Sequence, residues 1–166
     1  MGQQETWYVV DTDELSDEER ARACRVVLES VRPEVLTGQC DMPWSVRSTW
    51  APTVVAAGER LRKRFVPPER WQDAYLQTGV QDLRDDDLWG DFVRFVPASF
   101  DATVWGCDGE LVAISDQAVS IAVRADAALR AVLEARLAPT RLVPAALTWS
   151  ERIGRAVCRV RGASSR

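Results

Sequence analysis

The chain has 166 residues, 46% hydrophobic and 28% charged, with a net charge of −4 and no histidine. That balance belongs to an ordinary globular domain and excludes collagen-like, coiled-coil and wholly disordered chains. The missing imidazole closes Ser-His-Asp and Cys-His catalysis, His-ligated zinc and the usual neutral-pH proton shuttle.

The length favours a single domain, residues 1–166, able to bury about 70% of its unfolded surface without a disulfide or metal staple. At the N-terminus, Trp7-Tyr8-Val9-Val10 is a β-prone run ending at Asp11-Thr12-Asp13. Ser16 and Glu19 form a capping box, in which the hydroxyl takes an early helical amide and the carboxylate reaches back. Behind it, Ala23, Val26, Val27 and Val31 recur at helical spacing and predict a helix over 17–31, stopping before Pro33. Residues 32–50 carry Pro33, Gly38 and Pro43 without a clean period and read as a loop. Pro52 suits a first helical position, and Val54, Val55, Leu61 and Phe65 predict a helix over 52–64. Pro67-Pro68 ends it and can open another, with Trp71, Ala74, Tyr75 and Leu76 as an apolar stripe and Gly79 as the stop.

Residues 81–91 are acidic and polar around Leu83, Leu88 and Trp89. Phe92–Val96 then reads as β-prone, and Asp108-Gly109 between two apolar runs is a strong hairpin signal. A turn centred there sets Trp105 opposite Val112 and Thr103 opposite Ile114. Val119, Ile121 and Val123 alternate as a further strand, so the meander is expected over 92–124. Asp126 can cap a helix running through Leu137 and ended by Pro139. Leu142-Val143 suits an edge strand next to Pro144, and Ser150 with Ile153, Ala156, Val157 and Val160 suggests a last helix. This order implies an α+β fold, an antiparallel β-meander packed against several α-helices in one pair of layers.

Four groups of residues have chemistry to offer. Asp11-Thr12-Asp13 places carboxylates after an apolar strand, where they can hold Mg²⁺ or attack a phosphoryl group. With Lys63 and Asp86-Asp87 following, these positions resemble those of haloacid-dehalogenase-like phosphatases. That family needs several parallel strands, whereas one candidate precedes the meander here, so a turn leading into Ser16 is the reading adopted. Next, Asp85, Asp86 and Asp87 with Trp89 form a candidate surface for a basic partner. Three consecutive carboxylates cannot converge on one ion from a helix or strand, which leaves no metal site there. Third, Trp44 and Trp50 flank Arg47 in an irregular stretch, where they can line a pocket or clamp a partner, while Trp7, Trp71 and Trp105 suit the core. Last, the basic run Arg60–Arg64 and the C-terminal arginines can track phosphates, but the net charge of −4 argues against nucleic acid.

Cys24, Cys40, Cys107 and Cys158 have no tight spacing and read as free thiols of a reducing compartment, with no metal or cofactor implied. No apolar run approaches the ~20 residues of a membrane helix, and the N-terminus lacks a secretory signal. The expectation is a cytoplasmic protein-binding module of the size of small inhibitors and toxin-neutralising proteins. The alternative is a small-molecule-binding protein, or a histidine-independent enzyme of a specialised biosynthetic pathway, with an Asp/Arg/Trp-lined pocket.

Overall fold

The computed structural model describes residues 5–145. Within them the chain runs β1 (Thr6–Val10), α1 (Asp17–Val31), β2 (Thr37–Met42), α2 (Pro52–Phe65), β3 (Leu76–Gln77) and β4 (Gln81–Asp82). It continues through α3 (Asp86–Phe95), β5 (Asp101–Gly106), β6 (Gly109–Ser115), β7 (Ser120–Ala125), α4 (Ala127–Leu137) and β8 (Leu142–Pro144). The strands form an antiparallel sheet in the order β3-β2-β5-β6-β7-β1-β8, with β4 paired beside β3 on the outer side of β2. The fold is therefore α+β. No helix among the described residues is long and apolar enough to cross a membrane. The helix expected from Ser150, together with Trp149 and Cys158, lies outside the described residues.

Period-two alternation gives the sheet two unlike faces. Tyr8, Val10, Cys40, Met42, Ala102, Val104, Val112, Ile114, Ile121 and Val123 face the helices and build the main core with residues from α1 to α4. The other face carries a smaller cluster of Val9, Ala122 and Ala145, against which Trp7 and Ala113 pack. Three of the four α-helices among the described residues begin at a side-chain cap. Ser16 and Glu19 make the full capping box on α1, Asp85 caps α3 through the Leu88 amide, and Asp126 caps α4 through the Leu129 amide.

Four expectations need correction. Residues 32–50 are not one loop: β2 lies between β5 and the β3–β4 edge, and Thr37, Gln39 and Asp41 alternate with core-facing Gly38, Cys40 and Met42. The stretch after Pro67 makes only a 3₁₀ turn, Pro68–Arg70, before extending into β3. Phe92–Val96 is not a strand. Its aromatic and β-branched residues continue the stripe Leu88, Trp89, Phe92, Val93, Phe95, which α3 buries against the core. The meander therefore begins at Asp101. Finally, the β5–β6 turn is centred on Cys107-Asp108, and Gly109 closes it at φ 108°. Val104 pairs with Val112 and Trp105 with Glu110, so Trp105 sits half-buried on the face away from the helices.

α2 and α3 cross where Gly58 leaves room. A Cβ on Gly58 would meet the Phe95 ring at 2.8 Å and Trp44 at 3.1 Å, whereas one on Gly90 in α3 meets nothing within 4 Å. Two alanine substitutions should therefore differ in sign. Gly90→Ala should raise unfolding stability by about 0.5–1 kcal/mol through helix propensity. Gly58→Ala should lower it by about 1–3 kcal/mol through overpacking. Urea denaturation of the two variants reads both.

Candidate functional site

Asp41 sits at the end of β2 on the sheet face away from the helices, yet it is only 3% exposed. Its carboxylate accepts the Phe100 amide at 2.7 Å, the Asp101 amide at 3.0 Å and the Tyr75 hydroxyl. Next to it, the Thr78 hydroxyl accepts the Cys40 amide at 3.1 Å and donates to the Cys40 carbonyl at 3.2 Å, fixing the edge strands to β2. Gln39, Asp41, Tyr75, Gln77, Asp101 and Thr103 line a cleft of about 280 Å³ here.

The β6–β7 turn meets the same end of the sheet. Asp116, Gln117 and Ala118 all take positive φ, at 53°, 57° and 62°. Left-handed backbone costs non-glycine residues roughly 1–2 kcal/mol each. The turn is held by the Asp116 amide on the Phe100 carbonyl at 2.6 Å and the Gln117 amide on the Ser99 carbonyl at 3.0 Å. Ala118 is fully buried beneath it, and the Thr12 hydroxyl donates to the Val119 carbonyl. Three large apolar residues remain in water at this end: Tyr75 at 41%, Phe100 at 41% and Val119 at 45% exposure.

Asp101 and Asp116 have no ion pair among the described residues. Burial, then the charges of Asp41 and Asp116, raise the pKa of Asp101. Burial and the hydrogen bond to Asp41 push the Tyr75 phenol up to about 12.

The carboxylates singled out on α3 behave differently. Asp85 is the N-cap, accepting the Leu88 amide at 2.8 Å. Asp86 pairs with Arg32 at 2.6 Å, Asp82 pairs with Arg84, and Asp91 takes Arg60 at 2.6 Å. Asp87 is exposed and has no ion pair among the described residues. Trp89 is 7% exposed, stacked on Phe92 at 5.8 Å beneath the Arg32 guanidinium, so its indole does not stand beside these carboxylates on the surface.

Trp44, Arg47 and Trp50 do come together. The Trp44–Thr49 3₁₀ turn buries Trp44 and sets its ring edge-on to Trp50 at 5.7 Å, while Trp50 meets Phe95 at 5.3 Å. Arg47 lies over Trp44 at 5.7 Å and donates to the Trp44 carbonyl at 3.0 Å. Trp50 is half-buried and forms one wall of an open groove, not an enclosed pocket. Asp11 and Asp13 are exposed at the end of β1, with the Leu15 amide on the Thr12 carbonyl making the expected turn. All strand pairs among the described residues are antiparallel, which removes the framework that the phosphatase resemblance required. Those residues contain no group of metal-ligating side chains either. No protein-family model, curated protein or solved structure matches the chain.

Two measurements follow. Asp85→Ala should lower stability by about 1 kcal/mol through loss of the cap, whereas Asp87→Ala should stay within about 0.5 kcal/mol of wild type in urea denaturation. Asp41→Asn should move the Tyr75 titration from about 12 toward the ordinary phenol value, as followed by ultraviolet absorbance of tyrosinate against a Tyr75→Phe control.

Proposed function

We propose that this chain is a cytoplasmic protein-binding module that receives a basic segment of its partner at the sheet end around Tyr75, Phe100 and Val119. The observation that carries this reading is three exposed apolar residues set by a strained turn, beside carboxylates that have no ion pair among the described residues. Completing the burial of such side chains contributes on the order of 1 kcal/mol each. A partner cation would relieve the crowding of Asp101 against Asp41 and Asp116, and Tyr75 and Phe100 offer ring faces for it. The scattered free thiols, with Cys24 and Cys40 buried and Cys107 exposed, suit a reducing compartment. An inhibitor or toxin-neutralising protein would use such a surface against a basic target.

A second reading rests on the cleft beside Asp41. Its 280 Å³ approaches the size of small-ligand sites, and its carboxylates and Tyr75 suit a small organic amine.

The test uses a fluorescent Arg/Lys-rich peptide and its Glu-for-Lys counterpart. Asp101→Asn, Asp116→Asn and Phe100→Ser should each weaken the basic peptide, while Asp87→Asn leaves it unchanged. The charge contribution should fade as salt shortens the Debye length below about 8 Å. Equal binding by wild type and the three sheet-end variants defeats the proposal, and displacement of the peptide by a simple amine alone favours the second reading.

Asp101→Asn should also stabilise the fold. A raised carboxyl pKa means that the folded state holds the proton more tightly than the unfolded chain does. That stabilising contribution is present below the unfolded pKa and is lost as pH rises through the folded one. At pH 7 the charge therefore opposes folding, and the variant should melt higher than wild type. The gap should close as pH falls through about 4. Thermal melts at the two pH values check the sign.

A further inference from the structure

A separate feature, not used by the basic-segment reading above, is the open groove of about 610 Å³ where the Trp44–Thr49 turn meets the start of α2. Its apolar wall is Trp50, Pro52, Val55 and Ala56, and its polar side is Arg47 and Ser48. The wall is rigid, because the Trp50 indole is wedged edge-on between Trp44 and Phe95. The groove offers donors. Arg47 uses one nitrogen on the Trp44 carbonyl and has no ion pair among the described residues. The Trp50 indole N–H has no hydrogen-bond partner among them. No carboxylate among the described residues lines the groove, and the first turn of α2 has no acidic residue.

We propose that this groove binds an acidic, apolar segment of a partner protein. A large apolar side chain of that segment packs on Trp50 and Val55, and its carboxylate pairs with Arg47. Charge complementarity decides the occupant. An apolar wall beside a guanidinium that has no ion pair among the described residues accepts a carboxylate and disfavours a cation. The arginine, fixed over Trp44, pays little additional ordering entropy on binding.

The experiment titrates the ¹⁵N-labelled full chain with a short blocked peptide containing leucine and glutamate, and with the same peptide carrying lysine for glutamate. The Trp50 indole signal is assigned by its loss in Trp50→Phe. The glutamate peptide should move that signal with saturation, and the lysine peptide should not. Arg47→Gln should weaken the glutamate peptide about tenfold, the size of one lost charge-assisted hydrogen bond. Ala56→Glu, on the exposed side of α2, should weaken it as well and decides the matter if Arg47→Gln disturbs the other indole signals on its own. Asp101→Asn should leave this titration unaltered, which separates it from the sheet-end reading. No saturable movement of the Trp50 signal, equal movement by both peptides, or insensitivity to Ala56→Glu would overturn the proposal.

Discussion

A carboxylate taken out of water is unfavourable by several kcal/mol unless it finds donors, and Asp41 finds three. They come from two distant parts of the chain, the Tyr75 hydroxyl and the amides at the start of β5. The end of β2, the edge stretch and the entry into β5 are thereby held at one point. The Phe100 carbonyl is then placed to accept the Asp116 amide, and the β6–β7 turn closes against it. That turn sets Val119 where the Thr12 hydroxyl reaches its carbonyl. One buried carboxylate thus begins a connected hydrogen-bond path across the whole end of the sheet.

The groove depends on the same strand end. β2 leaves the sheet at Met42 and passes at once into the Trp44–Thr49 turn, whose Ser45 amide bonds the Ala74 carbonyl at 3.0 Å. Ala74 precedes Tyr75, so the groove and the acidic end are tied to one short segment. Arg62, between Trp44 at 4.7 Å and Trp71 at 4.9 Å, braces that segment from α2. Two surfaces of opposite character are in this way carried by one rigid corner.

Helices α1, α2 and α4 were legible because their signals are local. Ser16 with Glu19, Pro52, and Asp126 with Pro139 mark ends by chemistry that acts within one turn. β2 was hidden because its alternation is carried by Gly38, Cys40 and Met42, weak apolar markers between two prolines. α3 was misread because Phe92–Val96 suits a strand in isolation, although the spacing of Leu88, Trp89, Phe92 and Val93 is helical. The hairpin was found but displaced. An Asp-Gly pair announces a turn without saying whether Gly lies at its centre or just after it, and one residue of difference moved Trp105 to the other face. Of the candidate residues, Trp44, Arg47 and Trp50 are near in sequence and did converge. Tyr75 and Asp41 are 34 positions apart, and no spacing rule joins them to Asp101 and Asp116. Only the strand order does.

Carboxylates on this chain fall into two populations that physics treats differently. On and around α3 the acids other than Asp87 are engaged, by a backbone amide at Asp85 and by arginines at Asp82, Asp86 and Asp91. At the sheet end the charge of Asp101 opposes folding, through burial first and then the charges of Asp41 and Asp116, beside a turn holding three non-glycine residues in left-handed backbone. Both costs fall in one place and are offset by the core beneath, where Ala118, Ile121 and Val104 are fully buried. The sheet end thus combines exposed apolar groups, a strained turn and carboxylates without an ion pair among the described residues. That combination, absent from the longer acidic run, is what the proposal of a partner surface there rests on.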